Sequence, residues 1–133
     1  MEKITLWKDR DNRKIDPVLF SEIAERLAIE LAGDAGRRTN QISQIRKFYD
    51  EVVRLNMEVK NSHANNWDNI LPLVNMLIAK TAYANGRKKL VSDSFLSFIR
   101  SSVEQVKEPE DLEVFANLFE AFYGFYKLHC PEK

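Results

Sequence analysis

Met76, Lys80, Tyr83 and Arg87 recur at spacings of 4, 3 and 4, which puts them on one row of a helix. An ammonium and a guanidinium can meet phosphates, and a tyrosine ring offers a face on which a base can stack. Such a row suits single-stranded nucleic acid. The same spacing also fits a plainer arrangement, in which Tyr83 packs inward with its hydroxyl outward and Lys80 lays its stem over the apolar edge. Arg87-Lys88-Lys89 follows the expected end of that helix. The helix dipole favours cations there, but three in succession exceed what one C-terminus needs, so an anionic partner is plausible. Arg46 falls at the edge of an apolar face, with Lys47 and Arg54 further round. Asp50, Glu51 and Glu58 are close enough for i,i+4 pairs, so this set also reads as a solvated charged face. Arg37 and Arg38 precede a helix start, where cations oppose the dipole, and that favours a ligand explanation.

Catalytic patterns are missing. His63 and His129 lie far apart, and neither has a second histidine three to five residues away, so no zinc spacing arises. His63 reads as a loop residue and His129 as a cation at a helix C-terminus. Gly33-Asp34-Ala35-Gly36 is too short and too acidic to cradle a phosphate, and no G-x-S-x-G turn occurs. Cys130 is the single cysteine, so neither a disulfide within the chain nor a cysteine metal site is expected. We expect no enzyme activity, no metal and no cofactor.

The elements that must position the basic residues follow from composition. With 133 residues the chain can bury about two-thirds of its unfolded surface, enough for one core. The balance of 44% hydrophobic and 30% charged residues argues against disorder and against a membrane protein. No apolar run is long enough to span a bilayer, and the first residues lack the apolar stretch of a secretory signal. The chain reads as cytoplasmic. Its net charge is zero, yet residues 37–90 carry 10 basic and 4 acidic groups, with the acidic excess at the two ends. Either the ends fold over the middle and neutralise it, or the middle presents a positive surface to a polyanion.

Only 4 glycines and 4 prolines occur, and apolar residues recur at helical spacing, so the class is all-α. Residues 1–16 form a short irregular arm in which Ile4, Leu6 and Trp7 could dock, and 17–133 form one helical domain. Asp16-Pro17 opens a first helix at about 17–32 with a stripe of Phe20, Ile23, Leu27 and Leu31. Thr39 is the candidate cap of a second helix at about 40–60. Its core face is Ile42, Ile45, Tyr49, Val52 and Val53, widened by Phe48, Leu55 and Val59. A third runs roughly 66–85 with Ile70, Leu73, Val74 and Leu77 inward. Pro72 implies a kink or a later start, and Gly86 is the expected C′ residue. Ser92 or Asp93 caps a fourth helix with Phe95, Phe98, Ile99, Val103 and Val106 inward. Pro109 opens a fifth, to about Leu128, with Leu112, Phe115, Phe119, Phe122 and Tyr126 inward. The result is a compact bundle of about five helices. Tyr123 and Phe125 lie off the main stripe of the fifth helix and need a second apolar contact, from a neighbouring helix or another chain.

Three segments together resemble a known family. They are Gln44-Ile45-Arg46-Lys47-Phe48-Tyr49, then Leu71-Pro72-Leu73 leading to Lys80-Thr81-Ala82-Tyr83-Ala84-Asn85-Gly86-Arg87, then Phe119-Glu120-Ala121-Phe122 with Tyr126-Lys127. They are similar to the small helical subunit of the Csm-type (type III-A) CRISPR–Cas effector complex, over about residues 39–128. Two stretches depart from the family pattern: Ile78-Ala79-Lys80 has one basic residue fewer, and Phe125-Tyr126-Lys127 lacks a histidine.

The resemblance implies an all-α, non-catalytic subunit. Several copies of it stack beside the backbone subunits that hold the guide RNA, help form the guide–target channel and touch the target RNA backbone. It further implies the large subunit as a partner, and further copies of this chain. On this reading Arg46, Lys47, Lys80, Arg87 and Lys127 supply phosphate or sugar contacts, Tyr83 shapes or stacks, and Lys88, Lys89, Arg37 and Arg38 add to them. The competing reading is a helical dimerisation or adaptor module without nucleic-acid binding.

Overall fold

The computed structural model describes residues 4–61 and 66–130; His63 lies outside them. Among the described residues the architecture is all-α. A π-helical turn, Leu19–Ile23, leads into α1 (Ala24–Gly33), followed by α2 (Ile42–Asn61), α3 (Trp67–Gly86), α4 (Asp93–Val103) and α5 (Pro109–His129).

The two C-terminal helices follow their periodicity closely. Phe95, Phe98, Ile99, Val103 and Val106 are buried, as are Leu112, Phe115, Phe119, Phe122 and Tyr126. Their rings interlock: Phe98 meets Phe115 and Phe119 edge to face at centroid distances of 6.1 and 5.5 Å, and Phe122 in a tilted pair at 5.4 Å. Such pairs add about 0.5–1.5 kcal/mol each beyond burial. Ser92 is the cap of α4, its hydroxyl accepting from the Phe95 N–H at 3.2 Å.

Five expectations fail locally. Asp16 does receive the Val18 N–H, at 3.0 Å, but the chain then makes a π turn, with the Ile23 N–H donating to the Val18 carbonyl. The extra residue rotates the phase, so Leu19 and Ala24 face the core while Phe20 is 36% exposed. In α3 the buried positions are Ile70, Val74, Leu77, Thr81 and Ala84, and Leu73 is 45% exposed. Thr81 can be buried because its hydroxyl donates to the Leu77 carbonyl at 2.6 Å. Thr39 is not a cap: the first α2 bond runs from the Ile45 N–H to the Gln41 carbonyl. Pro72 neither delays nor ends α3, which starts at Trp67. Gly86 is the last helical residue and not a left-handed C′. Positive φ falls instead on Lys88 (57°) and Lys89 (54°).

The arm docks. Ile4 and Leu6 are buried, and Gln105 clamps them, accepting from the Leu6 N–H at 2.8 Å and donating to the Ile4 carbonyl at 2.7 Å. Tyr123 finds its second contact on a neighbouring helix, stacked on Tyr49 at 5.1 Å. Phe125 instead lines a shallow groove with Phe20, Gly124 and Leu128.

Candidate nucleic-acid interface

α2 and α3 run antiparallel: the end of one and the start of the other both reach the start of α5, through Lys60 with Glu113 and Trp67 with Lys107, and an ion pair joins them midway. Lys80 Nζ lies 3.2 Å from Glu51 Oε2. One turn back along α2 from Glu51 is Lys47; one and two turns onward along α3 from Lys80 are Tyr83 and Arg87. Lys47, Lys80, Tyr83 and Arg87 therefore share the α2–α3 flank, at the end where α2 begins and α3 stops. Tyr83 is 68% exposed, so its ring is not a core side chain. The inward alternative for it is ruled out.

A buried asparagine brings the loops to the same end. Asn40 is fully buried and spends all its polar groups. Its N–H donates to the Leu90 carbonyl at 2.9 Å. Its side-chain amide donates to Ser92 Oγ (2.9 Å) and the Leu31 carbonyl (3.2 Å), and accepts from the Ser92 N–H (2.8 Å). The Tyr126 hydroxyl donates to its carbonyl. The 37–40 segment, the 87–92 segment and the end of α5 are thus tied to one point. Arg37 and Arg38 lie three and two residues before Asn40, and Lys88 and Lys89 two and one before its partner Leu90.

Arg46 and Lys127 sit round the corner. Arg46 is turned by about 100° from Lys47. The Tyr49–Tyr123 stack pairs its helix with α5 at this same end, and Lys127 Nζ lies 6.0 Å from the Tyr123 ring centroid. All ten candidate residues are exposed. Arg46, Lys80 and Lys89 have carboxylate partners: Asp50 at 3.7 Å, Glu51 at 3.2 Å and Asp93 at 2.8 Å. Among the described residues Arg37, Arg38, Lys47, Arg87, Lys88 and Lys127 make no ion pair.

A protein-family model described as Csm2 Type III-A matches residues 15–132, most of the chain and all ten candidates. The chain belongs to the Csm2 type III-A family. It is a small subunit of the Csm-type, type III-A CRISPR effector complex. No curated protein and no solved structure matches it significantly. No described helix of this Csm2-family chain is long and apolar enough to cross a membrane. Among the described residues no three His, Cys, Asp or Glu side chains gather as a metal site.

Two residues that matter to this end escape sequence reasoning. Asn40 looks like an ordinary turn residue; its only local signal is a tolerance for positive φ, here 56°. Glu51 looks like one more carboxylate on a solvated face. In the fold it is half-buried between Arg54 and Lys80. The paired Arg54 hydrogen bonds hold its carboxyl below the usual glutamate range, with Lys80 adding to the effect. Glu51 thus tethers the first cation of the α3 row.

Proposed function

We propose that this chain is a non-catalytic, sequence-independent RNA-binding subunit of the type III-A complex. It acts in the cytoplasm and lines the guide–target RNA channel, resting chiefly on the target RNA backbone. The observation that carries this reading is the gathering of the ten exposed candidates toward one end of the bundle, six of them cations without an ion pair among the described residues. A folded chain gains little from holding like charges together, so an anionic partner is the economical explanation. The backbone adds support: Lys88 and Lys89 both sit in the left-handed region, at roughly 1–2 kcal/mol per residue, where glycine or asparagine would be easier. Phosphate contacts would position the strand, while guide pairing reads sequence. Residues 17–133 act as one helical domain with 1–16 as an appended arm.

A second observation favours contacts with protein. The groove lined by Phe20, Ala121, Gly124, Phe125 and Leu128 leaves apolar surface open away from the basic end. We assign it to neighbouring subunits, either copies of this chain or the backbone and large subunits. A chain using only that groove would be an adaptor without nucleic-acid binding.

Salt separates the two readings. The double variant Lys80→Ala with Arg87→Ala keeps its helical circular dichroism and loses RNA affinity about equally across sequences. The slope of log affinity against log salt flattens by about 1.4, the loss of two single-strand phosphate contacts. Unaltered binding would leave the α3 row with a structural role only, and salt-insensitive association with protein alone would favour the adaptor.

A further inference from the structure

We infer that Tyr83 is a stacking platform for an unpaired nucleobase, so that this end of the bundle takes a single-stranded or locally splayed RNA segment in preference to an uninterrupted duplex. The inference rests on the RNA-binding reading and narrows it. Tyr83 stands in the last turn of α3, its carbonyl accepting from the Arg87 N–H at 2.9 Å, so its backbone is fixed by the helix. The ring is 68% exposed and, among the described residues, its hydroxyl makes no hydrogen bond. Lys80 and Arg87 stand one turn before and one turn after it, about 10 Å apart along the axis, and Lys47 lies on α2 one turn back from Glu51, the partner of Lys80. Cations before and after an open aromatic face are what a nucleotide with a phosphate on either side requires. An A-form duplex hides its base faces inside the stack and presents only sugar and phosphate edges. Along the body of a duplex, away from its ends, only an unpaired base can lie on a protein ring. The cations alone would serve either form of RNA; the ring is useful to one of them.

The test compares a fluorescently labelled single-stranded RNA with a blunt duplex of the same sequence, on the full chain at low salt. Wild type should favour the single strand. Tyr83→Ala should weaken single-strand binding about 5- to 150-fold, the range of one base–aromatic stack, and leave duplex binding unchanged. Tyr83→Phe should retain most of the affinity because the ring is kept. A 2-aminopurine base in the single strand should be quenched on binding to wild type and not to Tyr83→Ala. In the assembled complex, 2-aminopurine moved stepwise along the target should respond to Tyr83→Ala at particular positions. Equal losses for both RNAs, or none, would overturn the inference. So would loss of subunit assembly with intact RNA affinity, since Tyr83 would then be a protein contact. If the Lys80→Ala, Arg87→Ala variant loses binding while Tyr83→Ala does not, the inference fails and the RNA-binding reading stands. If wild type binds neither RNA, alone or in the complex, both fall.

Discussion

Two poles of this small bundle treat charge in opposite ways. Where the arm meets the start of α5, Asp111 is fully buried and fully used. Its Oδ1 accepts from Trp7 Nε1 at 2.7 Å and Arg10 Nη1 at 2.8 Å, and its Oδ2 from the Lys107 and Glu108 N–H groups at 2.9 Å. Burial pushes this carboxyl up, but those donors together more than offset it and hold it below the usual aspartate range. At the basic pole, exposed cations stand with few carboxylates or none, two of them on strained backbone. The contrast teaches how to sort charges. A charge whose partners lie within the fold holds the fold. A charge such as Lys88, exposed, without an ion pair and at a cost to the backbone, is explained by something outside the chain.

Asp111 is where a single substitution should have the largest effect. Asp111→Ala strands two backbone N–H groups and the Trp7 indole, and should cost about 3 kcal/mol in urea unfolding. The lower end of the usual range applies because Arg10, 38% exposed, can turn into water. RNA affinity of the folded fraction should not change; a loss there would erase the distinction between the poles. The same carboxylate sets a pH dependence. Its native value lies below the unfolded one of about 3.9, so its contribution is complete above that and disappears as pH falls toward the native value. The acid limb of stability below about pH 4 should therefore be shallower in Asp111→Ala than in wild type.

A smaller effect sharpens the other side. Glu51→Gln removes the carboxylate between Arg54 and Lys80. It should cost about 1 kcal/mol or less in thermal unfolding, since both cations are about half exposed and the glutamine can still accept hydrogen bonds. It should tighten RNA binding about 2- to 5-fold by freeing Lys80. The smallest effect has the most telling sign. Lys88→Gly relieves a positive φ of 57° but adds freedom to the unfolded chain, for a net gain of about 0.5 kcal/mol. It should raise Tm slightly while weakening RNA binding. A variant both less stable and equally good at binding would remove the argument from strain.

Much of the fold was legible residue by residue. The apolar rows of α4 and α5 are long, aromatic and uninterrupted, so a period of 3.6 places them without outside help. The same method misplaced Phe20, because one π turn shifts the phase of everything before it. Leu73 falls outside the buried row because Ile70, Val74, Leu77, Thr81 and Ala84 already keep the helical spacing of 4, 3, 4 and 3, with Thr81 held in it by its bond to the Leu77 carbonyl. The site was legible as a list of residue types and not as a place. Lys47, Lys80, Tyr83 and Arg87 can be read from their spacing, but nothing local says that α2 and α3 abut through Glu51. The loops bearing Arg37, Arg38, Lys88 and Lys89 meet only through Asn40.

By itself, the sequence settled the helical class, the chief core rows and the concentration of positive charge in mid-chain, since periodicity and composition are local properties. The tertiary structure alone decided which way Tyr83 points, which cations find carboxylates, and that the loops converge on one end. Those outcomes depend on contacts between residues 29 to 86 positions apart, such as Lys80 with Glu51 and Tyr126 with Asn40. Helical spacing carries no information over such separations; packing of the buried face determines them.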